Sequence, residues 1–220
     1  MSVNGIHPPP PADPPDPPDP AGALPTPLTP PRPPVDLAAV EAHTRHLLVL
    51  LGEDPDREGL QETPRRVAAW WREFLDYDPG RIATVFGHEA RGEQYVLVRG
   101  LTAWSLCEHH LLPFRVEAAV AVIPHGQVLG LSKLGRILQL HAHRLQLQER
   151  LTSQVAATVA EVCGSADVGV WMTGEHLCMS MRGVRDDGAR TDTLCLLGRL
   201  RTDTALAERL HTAVHAGRTR

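Results

Sequence analysis

Lysine is almost missing from this chain. Lys133 is the only one, and every other basic side chain is arginine. Net charge is also small, −4 at neutral pH, so a bulk polyanion such as nucleic acid is not an expected partner. A small anion in a local basic pocket stays possible. No apolar run is long enough to cross a bilayer, so no membrane partner is expected. The N-terminus lacks the basic start and apolar core of a secretory signal. There are four cysteines, Cys107, Cys163, Cys178 and Cys195, without the regular spacing of a disulfide framework. Free thiols in a reduced, cytoplasmic setting follow as the expectation. No internal repeat is visible.

What the chain has in excess is proline, and it is concentrated. Residues 1–34 hold fifteen of the twenty. Proline lacks the N–H that helices and central strands need, and few large apolar side chains stand between these prolines to offset the entropy of ordering. The segment reads as an extended, disordered tail, either passive or a ligand for a partner's aromatic groove. The remaining ~185 residues suit one domain of ordinary size.

Past the tail the pattern is helical. Val35–Leu51 reads as a helix capped by Asp36 and ended by Gly52, with Leu37, Val40, Leu47, Val49 and Leu50 on an apolar side. Thr63-Pro64 starts a second, threonine as cap and proline first inside, with Val67, Trp70, Trp71, Phe74 and Leu75 as its apolar face. From Tyr95 the period changes. Tyr95–Val98 and Val116–Ile123 read as strands, with a turn at Pro124-His125-Gly126. Ser132 reads as the cap of a helix to about His143, and a further helix spans Gln148–Val162. Val168–Met172, Leu177–Arg182 and Thr191–Leu197 read as strands, and Thr204–Val214 as a last helix. The expected fold class is therefore α+β: an antiparallel sheet in the order β-β-α-α-β-β with helices on one face, preceded by two N-terminal helices. By segment, 1–34 is the tail, 35–94 the N-terminal helical part and 95–220 the chemical domain.

The chemistry concentrates in Cys107-Glu108-His109-His110. Cys107 and His110 form a C-x-x-H pair, and His176-Leu177-Cys178 offers the same residue types far downstream. Two thiols and an imidazole, with room for a water, make the ligand set of a catalytic zinc centre, whereas structural zinc is usually closed by four protein ligands. The bland alternative is a buried thiol and a core imidazole. Zinc would bring the pKa of a bound water to about 7, and an imidazole titrates nearby, so a histidine left out of the ligand set can carry protons. If Leu177–Arg182 is a strand, His176 and Cys178 share a face. Spacing does not decide which histidine binds and which shuttles. Ser132-Lys133, Arg136, Arg144, Arg182 and Arg185 are candidates for an anion grip, Ser132 and Lys133 at a helix N-terminus that favours phosphate. A solvated basic face is the alternative. Gln148-Glu149 opens a helix, where an acid complements the dipole; a carboxylate there can also accept two hydrogen bonds from a guanine edge.

Taken together, Ser105–Phe114, Gly130-Leu131-Ser132-Lys133-Leu134, Gln146–Thr152 and Glu175–Arg185, with Asp56–Ala68 upstream, resemble the GTP cyclohydrolase I family. The resemblance runs from about residue 36 to near the end. It implies the tunnelling fold, assembled into stacked rings, usually a homodecamer with active sites between subunits. It implies conversion of GTP and water to formate and 7,8-dihydroneopterin triphosphate. By position it implies Cys107, His110 and Cys178 as zinc ligands. His176 becomes the proton donor to the guanine imidazole ring as hydroxide attacks carbon 8, and His109 and Ser132 assist ribose opening. Glu149 with Gln148 holds the guanine edge, and Lys133, Arg136 and Arg182 hold the triphosphate. The chain departs from the family pattern at Val116, Ala119, Val122, Leu145, Leu194 and Leu197, none of them an implied ligand or proton carrier. Two rival functions carry the same motifs: a paralogue that opens the purine to another product or takes another purine nucleotide, and a non-catalytic zinc-stabilised binding module.

Overall fold

The computed structural model describes residues 32–87 and 94–216. Most of the proline-rich tail, residues 1–31, lies outside the described residues, as do 88–93 and 217–220. In chain order the elements are helices α1 (Leu37–Leu50) and α2 (Thr63–Leu75), strands β1 (Val85–Gly87), β2 (Val96–Cys107), β3 (Pro113–Val122) and β4 (Gln127–Leu129), helix α3 (Leu131–Ala142), strand β5 (Leu145–Gln146), helix α4 (Gln148–Cys163), strand β6 (Val168–His176), the helical turn α5 (Leu177–Ser180), strand β7 (Thr191–Leu196), the short α6 (Arg199–Thr202) and α7 (Thr204–His215).

Five strands form the main sheet in the order β5-β2-β3-β6-β7. All neighbours are antiparallel except the short β5, which runs parallel to β2. Strand alternation then makes two cores. Phe114, Val116, Ala118, Val120 and Val122 of β3, with Val168, Val170 and Met172 of β6, face Leu134, Ile137 and Leu138 of α3 and Leu151, Val155 and Val159 of α4. On the other face Ala119, Ala121 and Trp171 meet Leu206, Leu210 and Val214 of α7. The α+β class stands, and β2, β3, α3, α4, β6 and β7 follow in the expected order with the short β4 and β5 interposed, but helices cover both faces rather than one. Val116 and Val122 lie in the larger core, Ala119 in the smaller.

Other local expectations change. Asp36 does cap α1, accepting from Ala39 N, but none of the α1 side chains is buried, and Leu47, Val49 and Leu50 are exposed. Thr63 is the first residue of α2 rather than its cap, which is Glu62. Ser132 likewise lies inside α3, whose cap is Gly130. The strand read at Tyr95–Val98 continues to Cys107 across a bulge between Val98 and Leu101, where Gly100 takes φ +74°.

Leu177–Arg182 is not a strand. Phe114 pairs with His176 and only Pro113, which has no N–H, precedes it in β3; on the other side β7 begins opposite Gly174. Beyond His176 the backbone has no strand left to bond. It closes on itself in α5, with Met181 N donating to Leu177 O at 3.0 Å.

Candidate metal centre and active site

Strand β2 ends at Cys107, and the link to β3 begins with one helical turn. Cys107 O accepts from Leu111 N at 2.8 Å and His110 N at 3.3 Å, while Cys107 N donates to Leu112 O at 2.8 Å. Residues three apart in such a turn lie on one side, which is why a C-x-x-H spacing works here. His110 Nδ1 comes 3.8 Å from Cys107 Sγ. Leu111 leaves the turn with φ +57°, a conformation that costs a non-glycine residue roughly 1–2 kcal/mol. The long register between β3 and β6 brings His176 opposite Phe114, and α5 swings Cys178 back toward Cys107.

The ligand atoms of Cys107, His110 and Cys178 all lie within 4.8 Å of one another. Among the described residues this is the only cluster of three or more Cys, His, Asp or Glu groups with such spacing. Cys107 is buried, Cys178 half-buried and His110 exposed. Burial first, then the adjacent Cys107, pushes the Cys178 thiol up. Two thiolates this close repel unless a cation sits between them, and a soft sulfur and nitrogen donor set suits zinc.

Neighbouring elements hold this turn. Ser105 Oγ donates to Ala142 O at 2.7 Å, fixing the end of β2 to the C-terminus of α3. Glu108 N donates to Gln146 O at 3.1 Å. The Arg150 guanidinium ties Glu108 to Leu145 O and Gln146 Oε1, and holds the Glu108 carboxyl below its usual range. Neither Ser105 nor Arg150 was marked by sequence reasoning, although both fall within the motifs quoted above. No pattern of residue types announces such contacts, because the fold alone decides which carbonyls and side chains stand opposite Ser105 and Arg150.

His176 stacks on Phe114, with ring centroids 4.6 Å apart and planes within 8°. Its Nε2 lies 2.8 Å from Gln148 Oε1. Burial lowers its pKa, with the Glu149 carboxylate opposing the shift. His109 is exposed and meets the His110 ring edge-on. Arg182 lies against the cluster, its Nη1 3.0 Å from His110 Nε2. Gln148 is buried, whereas its neighbour Glu149 is exposed. Ser132, Lys133 and Arg136 are elsewhere, in the first half of α3, while the end of that helix at Ala142 touches Ser105. At 1.5 Å per residue the two ends are about 15 Å apart along the axis. Arg136 Nη1 donates to Pro79 O at 3.3 Å. One chain thus clusters Cys107, His110 and Cys178, with Arg182 and His109 against His110 and His176 two residues before Cys178, while Ser132, Lys133 and Arg136 sit toward the opposite end of α3 from Ser105.

These features define an α+β protein with a Cys/His/Cys metal-type centre next to a hydrogen-bonded histidine. The family model for GTP cyclohydrolase I matches residues 40–215, and the chain belongs to that family. It is 44% identical to "GTP cyclohydrolase 1" of Deinococcus radiodurans over 80% of this chain and 82% of that one. Against the protein of the same name from Hyperthermus butylicus it is 45% identical over 84% of this chain and 94% of that one. Against the one from a Janthinobacterium species the figures are 47%, 74% and 84%.

Proposed function

We propose that this protein is a zinc-dependent GTP cyclohydrolase I, hydrolysing the guanine imidazole ring of GTP to formate and 7,8-dihydroneopterin triphosphate in pterin or folate-type biosynthesis. The observation that carries the proposal is the convergence of Cys107, His110 and Cys178 beside His176, in a chain of this family. Those three residues would hold the metal. When bound, zinc supplies Lewis-acid activation of a water at neutral pH. His176, kept neutral by burial, is the group that takes up a proton and passes it to the imidazole nitrogen of guanine. His109, exposed at the rim, assists ribose opening together with Ser132. The exposed Glu149 carboxylate is free to accept two N–H donors from the guanine edge, a role the resemblance also gives Gln148. Lys133, Arg136 and Arg182 hold the triphosphate.

We further propose that the domain, residues 95–220, is a tunnelling fold, that 35–94 is its helical N-terminal segment, and that 1–34 is a tail. The active form is a homo-oligomer, a decamer by the resemblance, with the site between subunits. Two observations support assembly: the separation of the α3 grip from the metal residues, and the exposed apolar side chains of α1. A cytoplasmic location agrees with four free cysteines, and no described helix is long and apolar enough to cross a membrane. The test is incubation of purified protein of assayed zinc content with GTP. Formate release and a fluorescent pterin after oxidation are expected. A formamidopyrimidine end product, or no turnover by zinc-loaded protein, overturns the proposal.

A further inference from the structure

Gln148 opens α4 but turns its side chain inward, 1% exposed, beneath the sheet. Its Nε2 faces three oxygens: Thr191 O at 2.8 Å, Thr193 Oγ1 at 3.1 Å and Met172 O at 3.3 Å. Two of these are carbonyls, which only accept, so the amide cannot be flipped without setting oxygen against oxygen. The hydroxyls run in one sense. Thr152 donates to Gln148 O at 2.8 Å, so Thr193 must donate across the 2.7 Å contact to Thr152, which leaves Thr193 Oγ1 as acceptor for the amide. Gly174 leaves the space the amide fills, since a Cβ there would come within 1.9 Å of Gln148 Oε1. Every constraint sends Oε1 toward His176 Nε2, 2.8 Å away.

An amide oxygen only accepts, so the hydrogen of this bond belongs to His176 Nε2. The Phe114 stack fixes the plane of the ring. We propose that Gln148 is a positioning residue that locks His176 in the Nε2–H tautomer, so that His176 exchanges its proton with substrate through Nδ1 alone. This departs from the guanine-holding role that the resemblance assigns to Gln148, whose amide hydrogens are already committed to β6 and β7.

Two readouts separate these roles. Magic-angle-spinning 15N spectra of zinc-loaded, histidine-labelled full-length protein at mildly alkaline pH report the tautomer, with the His176 signals assigned by their loss in His176→Asn. The expected result is a protonated Nε2 and a bare Nδ1, changing to mixed tautomers in Gln148→Met. In steady-state assays, which rest on the GTP reading above, Gln148→Met is expected to lower kcat about 10- to 100-fold with KM within about threefold of wild type. A raised KM at unchanged kcat assigns Gln148 to guanine and overturns the proposal, as does a wild-type Nδ1–H tautomer. If Gln148→Met does not fold, the wild-type spectrum still decides, because it needs no variant of Gln148: a protonated Nε2 supports the lock and an Nδ1–H tautomer overturns it. Absence of GTP turnover in the wild type counts against the function alone, since the spectra need no substrate.

Discussion

Cys178 reaches the cluster only because α5 replaces the end of a strand, so its thiol tests that turn and the metal proposal together. Cys178→Ser keeps the size but gives up the soft ligand. Zinc content should fall, and formate release should drop by more than the roughly 10- to 100-fold typical of losing an outer-shell partner. Full zinc and full turnover in that variant would remove Cys178 from the ligand set. His141 gives a separate residue-scale prediction. It is 1% exposed, its Nε2 bonded to Thr158 Oγ1 at 2.7 Å and its Nδ1 without a partner among the described residues. Burial first, then nearby Arg144, lowers its pKa from 6.5 to about 4. As pH falls through 6.5 the unfolded chain takes up a proton that the folded one refuses, so stability is lost between there and about pH 4. The loss approaches roughly 3 kcal/mol at the acid end. Denaturant titrations of His141→Gln should show a flatter acid limb than wild type, and parallel limbs would refute the shift.

At the scale of elements, the metal turn is held from outside by α4 and β5. Arg150→Ala removes the contacts to Glu108, Leu145 O and Gln146 Oε1 without touching a proposed ligand. Chelator competition should show zinc affinity about 10- to 100-fold weaker, with far-UV dichroism unchanged. Unchanged affinity would mean that β5 alone fixes the turn. The elements also mark where sequence could and could not be read. α4 and α7 were legible because their apolar positions recur at helical spacing and end up buried. Cys107, His110 and Cys178 were legible because their chemistry is rare and their spacing tight. The strand expected at Leu177–Arg182 was not there, for a reason invisible in those residues: Pro113 and Thr191 end the neighbouring strands first. The inward turn of Gln148 was equally hidden, because it depends on carbonyls supplied by β6 and β7.

For the whole molecule the decisive feature is what one chain keeps apart. Lys133 and Arg136 lie in the first half of α3, while Ser105, two residues before Cys107, is bonded to the last residue of that helix. In the assembly proposed above, a second copy presents its α3 N-terminus to this metal centre, and the exposed apolar side chains of α1 offer such copies a surface on which to meet. Complementation follows from that geometry. Cys178→Ser is expected to be inactive through its metal half and Lys133→Ala through its grip half. Unfolded together and co-refolded in equal amounts, they should form mixed assemblies in which roughly a quarter of the interfaces join two intact halves, so activity returns to about that fraction of wild type. If both halves of each site came from one chain, every site in the mixture would carry a lesion, and the refolded mixture would stay as inactive as either parent. Sizing the same samples by light scattering separates the two cases from simple failure to assemble, since a mixture of wild-type size without activity places the whole site within one subunit.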